Sequence, residues 1–191
     1  SVTPQPIKGA AVTHVHQDHS GNTASFIADR FQDGKISASA ANCEYCLVLV
    51  LDDVARLWAL RDERYAVMVV KHDHVPRETT KFLGEPQTKY EKKNWSSVML
   101  FNNAKCRALT PDYVNTASGL ELHQFKWLGD DARIGALPER WNHLVGYNPP
   151  RADAALVHYT LGGPYFAEYA DCEYAAEWRR ERDAMLRASS T

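Results

Sequence analysis

The sequence predicts an α/β fold in which helices flank a mixed, mostly parallel sheet. Three short apolar runs support this, at residues 47–51, 65–71 and 98–102, because each has the length and composition of a buried strand. Stretches with helical or polar character separate these runs. Strands that alternate with helices are typical of the α/β class.

The front of the chain predicts one strand–loop–helix–strand unit. Residues 7–13 (IKGAAVT) fit a strand, and residues 22–31 (NTASFIADRF) place apolar side chains at helical spacing, with Asn22 as a candidate cap. Gly34 would end that helix, and residues 35–40 (KISASA) resume as a strand.

The rest of the chain continues the alternation. The run at 47–51 (LVLVL) is apolar on both faces, which favours a strand inside a parallel or mixed sheet. Asp52 and Asp53 are good helix-capping residues, and apolar side chains follow at i, i+3 and i+4, namely Val54, Leu57 and Trp58. Residues 72–94 are polar and predict a long loop. Residues 179–187 predict a polar helix whose charges face solvent.

Composition limits the classes of function. The chain has 191 residues, 45% hydrophobic and 24% charged, which suits one compact domain or a domain with a small appendage. A net charge of −2 gives no general basic surface, so we expect neither nucleic acid nor an anionic membrane as a partner. The longest apolar run is too short to span a bilayer, and we expect a cytoplasmic protein without a secretory signal.

Four cysteines are present, Cys43, Cys46, Cys106 and Cys172. In a chain of this size we expect free thiols. The first two form a CxxC, which leaves open a zinc ribbon, although two half-buried thiols near a strand explain the pair more simply.

The segment THVHQDHSGN at residues 13–22 has the spacing of a metal site. His14 and His16 are two apart, so at a strand end both rings point the same way. Asp18 and His19 follow in the turn and are candidate ligands for a second metal. The alternative is a polar loop with coincidental histidines. Further ligands would come from histidines chosen by type alone: His72, His74, His123, His143 and His158.

This HxHxDH pattern resembles the first metal-binding motif of metallo-β-lactamase-fold hydrolases. The resemblance covers residues 1–46, which we treat as a replaced βαβ-like unit. It implies Zn²⁺ and a metal-dependent hydrolase.

Residues 47–191 carry a different resemblance. Five segments follow in order: LVLDDVARLWALRDERYAVMVVKHDHVP, KNWSSVMLFN, LTPDYVNTASGLELHQFKWL, IGALPERWNHLVGY and ALVHYTLGGPYF. Together they are similar to a bacterial group of glycosyltransferases related to the glycogenin-like, retaining GT-A enzymes. The resemblance implies a partial GT-A-like fold, a nucleotide-sugar donor, an unknown acceptor and Mn²⁺.

The same resemblance implies site residues. The segment beside the donor sugar and acceptor, with the candidate catalytic residues, corresponds to Asn94, Trp95, Ser96 and Ser97. Trp141 and Asn142 lie in an LPxxWN element near the acceptor. Trp95 and Trp141 have the alternative of being core aromatics.

Two further elements of the resemblance concern the metal and the diphosphate. His158, in HYTLGGP, corresponds to a metal ligand, and Gly162 and Gly163 would let the backbone approach the diphosphate. A buried histidine at a strand end is the alternative for His158.

The chain departs from that family before residue 47. Where the family has a DxD metal motif, this chain has Asn42-Cys43-Glu44 or Tyr45-Cys46-Leu47. The nucleotide-binding half is absent, so we expect a chimera with a join between residues 40 and 47. The hypotheses are a glycosyltransferase-like protein, a metal-dependent hydrolase, and a non-catalytic folded protein whose open sheet edge would favour a homodimer.

Overall fold

The structure is a computed structural model that describes residues 10–11, 48–73, 75–80, 87 and 89–188. The described residues fall into two compact units. Unit one contains residues 10–11, 54–73 and 90–138. Unit two contains residues 48–53, 75–80, 87, 89 and 139–188.

The described residues of unit one form a four-stranded sheet. Its strands are β1 (Ala10–Ala11), β3 (Val67–Val69), β4 (Met99–Phe101) and β5 (Ile134–Ala136), in the order β1-β4-β3-β5. β3 pairs antiparallel with β4 and parallel with β5, and all its residues are buried. Apolar side chains from the sheet and the following segments form the core of this unit, among them Val67, Phe125, Trp127 and Ile134.

The described part of unit one also contains three short α-helices: α1 (Val54–Ala59), α2 (Pro111–Thr116) and α3 (Gly119–His123). α2 begins after Thr110, whose hydroxyl accepts the backbone N–H of Tyr113. α3 begins with a capping box in which Ser118 and Glu121 satisfy each other's backbone N–H groups. These caps fix where each helix begins.

The described residues of unit two form a three-stranded sheet in the order β2-β7-β6. The strands are β2 (Val48–Val50), β6 (His143–Leu144) and β7 (Leu156–His158). β7 pairs antiparallel with β2 and parallel with β6. Helix α4 (Ala175–Ala188) ends the described chain, and its Trp178 packs in a core with Leu49, Val157 and Tyr159.

The prediction of a mixed α/β fold is confirmed, but the prediction of a mostly parallel sheet is wrong. Among the described residues, three strand pairings are antiparallel and two are parallel. The run at 47–51 misled the prediction. β2 lies at an edge of its sheet, pairs antiparallel with β7, and leaves Val50 39% exposed. A short run of apolar residues is therefore not sufficient evidence that a strand is buried on both faces.

Several elements lie where the sequence predicted them. β3 and β4 fall inside the runs at 65–71 and 98–102, α1 follows Asp52 and Asp53, and α4 contains the predicted helix at 179–187. β1 falls inside the predicted strand at 7–13. The predicted helix at 22–31 and the strand at 35–40 lie outside the described residues. No helix in the described part of the chain is long and apolar enough to cross a membrane.

Candidate functional site

The candidate site is the loop of residues 90–97 in unit one, together with His123. The loop contains two non-glycine residues in the left-handed region, Lys92 at φ 60° and Asn94 at φ 65°. Such conformations cost free energy and occur preferentially at functional sites, where surrounding contacts hold them. The loop ends in one 3₁₀ turn, Trp95–Ser97, directly before β4.

Several contacts fix this loop. The Lys92 ammonium lies 2.7 Å from Asp131 and donates to the carbonyl of Gln124 at 3.1 Å. The indole N–H of Trp95 donates to the carbonyl of His72 at 2.8 Å. Within the loop, the Ser97 hydroxyl donates to the carbonyl of Asn94 at 2.7 Å. The anchors come from three separate segments of unit one, so the left-handed residues are held in place.

The anchored loop places a hydroxyl against an imidazole. Ser96 Oγ lies 2.6 Å from Nδ1 of His123, the last residue of α3. Both side chains are half-buried. The capping box of α3 sets the position of His123, and the loop anchors set the position of Ser96. The distance is within the range for a nucleophile and its base.

The surroundings of His123 favour the uncharged imidazole. Burial lowers the pKa of His123, and the positive charge of Lys93 lowers it further. Lys93 is itself buried, and its ammonium lies 4.9 Å from the ring centroid of Tyr90. The Tyr90 ring lies 6.2 Å from the His123 ring, and burial raises the pKa of its phenol, which stays protonated at neutral pH.

This arrangement can move a proton. When the imidazole proton is on Nε2, Nδ1 accepts the proton of the Ser96 hydroxyl. The resulting oxygen would lie on the same short loop as the ammonium-bearing Lys93, a residue suited to stabilising negative charge. The site therefore combines a hydroxyl, a neutral base and a cation.

Sequence reasoning found only part of this cluster. Ser96 was predicted with Asn94, Trp95 and Ser97, and all four lie in the loop, although their catalytic role stays a prediction. His123 was named only by type as a metal ligand. Tyr90 and Lys93 were missed. The adjacency of Lys93 to Asn94 was an available signal, whereas nothing in the sequence links Ser96 to a histidine 27 positions later.

The predicted residues of unit two lie together but are buried. Trp141 and Asn142 end a 3₁₀ turn that leads into β6, and β6 pairs with the strand that ends in His158. Trp141 is 1%, Asn142 0% and His158 1% exposed. These positions fit core packing, the alternative left open for Trp141 and His158. A ligand or metal role for the three stays a prediction that would require a rearrangement.

The predicted glycine pair is covered by aromatic rings. Gly162 has φ 145°, and a Cβ at this position would lie 2.6 Å from the ring of Tyr169. A Cβ on Gly163 would lie 2.4 Å from the ring of Tyr165. The close neighbours of both glycines are therefore side chains of this chain, which gives a packing reason for glycine at both positions. Diphosphate binding here stays a prediction.

The predicted metal ligands do not gather in the described part of the chain. His14, His16, Asp18, His19 and His74 lie outside the described residues. His143 is fully buried, with Nε2 3.0 Å from the carboxylate of Glu173. Among the described residues, no group of three or more His, Cys, Asp or Glu side chains is placed to hold a metal. The described residues therefore provide no site for the predicted Mn²⁺ or Zn²⁺, and both metals stay predictions.

The chain is similar to Protein CDI of Arabidopsis thaliana. The two are 41% identical over 165 residues, which cover 83% of this chain and 62% of the relative. The chain therefore spans about three fifths of the relative's length. No family model matches the chain, and no solved structure matches it.

This similarity corrects the predicted function. The name of the relative indicates neither a glycosyltransferase nor a metallo-hydrolase, so both predicted activities are contradicted. The match also bears on the predicted join. Because 83% of 191 residues is about 159, only about 32 residues lie outside the match, and the match must cross residues 40–47. One relative therefore extends over both sides of that position.

Proposed function

We propose that the loop of residues 90–97 and His123 bind a small phosphate-bearing molecule. The observation that carries this proposal is the Ser96–His123 contact of 2.6 Å, in a cluster where the buried Lys93 lies over the Tyr90 ring and that ring packs near His123. The Nε2–H group of a neutral imidazole and an ammonium can both donate to phosphate oxygens.

The electrostatics of the cluster support an anionic ligand. Burial lowers the pKa of His123 and the positive charge of Lys93 lowers it further, so positive potential reaches the Ser96–His123 pair. Lys71 adds a second cation to the same segment, with its ammonium 5.7 Å from the ring centroid of Trp95. A partly buried site amplifies these charges because solvent screens them less than at the surface.

The backbone of the loop supports a ligand site rather than a plain turn. Lys92 and Asn94 both adopt the left-handed conformation, which costs roughly 1–3 kcal/mol at each residue. Contacts to Asp131, Gln124 and His72 offset that cost. A rigid loop holds its donor groups ready for a ligand and so reduces the entropy lost on binding.

Titration with inorganic phosphate and pyrophosphate tests the proposal, with the imidazole signals of His123 followed by NMR. We expect saturable shifts for the intact chain. Lys93→Met keeps most of the side-chain stem but removes the charge, and it should weaken binding at least tenfold. Lys126→Met removes an exposed charge of the same unit and serves as the matched control. The proposal is refuted if phosphate and pyrophosphate show no saturable binding, or if both substitutions weaken that binding equally.

The remaining sequence predictions are separate from this one. A nucleotide sugar contains a diphosphate and would belong to the proposed ligand class, but transfer of its sugar is not proposed. The GT-A-like arrangement of the sheets, the acceptor, a homodimer and a cytoplasmic location stay predictions.

A further inference from the structure

We infer that Ser96 accepts a phosphoryl group from the ligand, with His123 as the proton acceptor. The inference rests on the proposed phosphate site and adds a covalent step to it. It uses the shortest contact of the cluster, the 2.6 Å between Ser96 Oγ and His123 Nδ1.

A serine hydroxyl is a weak nucleophile unless a base removes its proton as it attacks. His123 is placed for this because its Nδ1 faces the hydroxyl directly. Burial and the positive charge of Lys93 both disfavour a second proton on the imidazole, so Nδ1 can accept the proton of Ser96. The carboxylate of Glu121, on the same helix, accepts the backbone N–H of Ser118 in the capping box. Tyr90 contributes an uncharged ring.

The step balances without another reactant. Ser96 Oγ forms a bond to phosphorus as the ester P–O bond of a phosphate monoester breaks. The hydroxyl proton passes to Nδ1 of His123, and the departing alkoxide takes that proton and leaves as an alcohol. The products are phosphoserine at position 96 and the free alcohol.

Phosphoryl transfer fits this site better than acyl transfer. Transfer of a phosphoryl group depends mainly on positioning and on positive charge near the phosphate oxygens. Acyl transfer depends on a pair of donors aimed at a developing oxyanion. The cluster contains a buried cation, Lys93, whose ammonium lies over the Tyr90 ring next to His123, and this favours the phosphate ester.

A hydroxyl outside the loop offers a control. Thr116 is exposed at the end of α2 in the same unit, and its hydroxyl donates to the carbonyl of Asp112 at 2.8 Å. Thr116 belongs neither to the loop of residues 90–97 nor to α3, so removing its hydroxyl should leave the step unchanged.

The experiment incubates the full chain with p-nitrophenyl phosphate. It follows nitrophenolate release by absorbance and the protein mass by mass spectrometry. We expect one added phosphoryl group, mapped by peptide fragmentation to Ser96. Ser96→Ala should abolish it, and Thr116→Ala should retain it. His123→Asn keeps a hydrogen-bond acceptor without a base, and should slow the step at least a hundredfold.

The outcomes separate the two proposals. If inorganic phosphate binds but no phosphoryl group is added and no nitrophenolate is released, the covalent step is overturned and the binding site stands. A phosphoryl group at another residue, or equal loss in Ser96→Ala and Thr116→Ala, also overturns it. If phosphate does not bind at all, the proposed function fails and this inference fails with it.

Discussion

The guanidinium of Arg140 lies 2.8 Å from the carboxylate of Asp52, a residue 88 positions earlier in the chain. The same guanidinium donates to the carbonyl of Asp153 at 2.9 Å. Asp52 and Arg140 are 14% and 29% exposed in their side chains, so the pair is largely shielded from water. It connects the end of β2 to the turn that leads into β6, within unit two.

Asp52→Asn should lower the free energy of unfolding by about 1–2 kcal/mol. The substitution removes a charge-assisted hydrogen bond and leaves Arg140 with an uncharged partner in a partly buried position. Denaturant unfolding measures the change. Asp62→Asn weakens a pair whose Arg64 side chain is 79% exposed, so it should lower the free energy of unfolding far less than Asp52→Asn does. Equal effects of the two substitutions would mean that burial of the Asp52 pair adds nothing.

Gly162→Ala should destabilise the protein by roughly 3 kcal/mol, because it combines a disfavoured backbone with overpacking. The backbone has φ 145°, and the new Cβ would meet the ring of Tyr169 at 2.6 Å. Gly129→Ala is the control, since Gly129 also has positive φ (72°) but no atom within 4 Å of a new Cβ. It should cost only about 1 kcal/mol. Similar midpoints in thermal unfolding would refute the packing role of Gly162.

Short patterns of apolar and polar residues were enough to predict several helices and strands. The apolar runs identified β3 and β4, and the polar run at 179–187 identified most of α4. The capping signals of α2 and α3 were also present in the sequence, as Thr110-Pro111 and Ser118-x-x-Glu121, but they were not used. Pairing direction is not a local property, so the run at 47–51 gave no means of telling an antiparallel edge strand from a parallel central one.

The candidate site could likewise be predicted from local sequence signals only in part. Ser96 was marked by the resemblance of its segment, but its partner is the C-terminal residue of α3, 27 positions away. Only the fold brings the two together. Trp141 and His158 show the converse, since residues marked by resemblance turned out to be fully buried.

Cys106 should react slowly with iodoacetamide in the folded protein and readily after unfolding. Burial raises the pKa of its thiol to about 11, so almost no thiolate exists at neutral pH. The thiol also donates to the carbonyl of Ala66 at 3.1 Å. Peptide mass spectrometry after timed labelling measures the rate at this residue. Labelling of Cys106 at equal rates with and without denaturant would disprove the protection.

Acidification should destabilise the protein through His123. In the unfolded chain this residue has an ordinary pKa of about 6.5, whereas burial and then Lys93 lower its pKa in the folded state. Between the ordinary and the lowered pKa, the unfolded state binds more protons. Stability is therefore unaffected by this group above about pH 6.5 and falls as the pH drops from there toward the folded pKa.

Lys93→Met should raise the pKa of His123, because it removes the positive charge that opposes protonation. The stability loss on acidification should then be smaller. NMR titration of the imidazole measures the pKa, and unfolding midpoints at several pH values measure the linkage. Lys126→Met should leave both unchanged because that side chain is exposed. If Lys93→Met left the pKa of His123 where it was, the charge of Lys93 would not act at the Ser96–His123 pair, and the proposed anion site would lose its electrostatic basis.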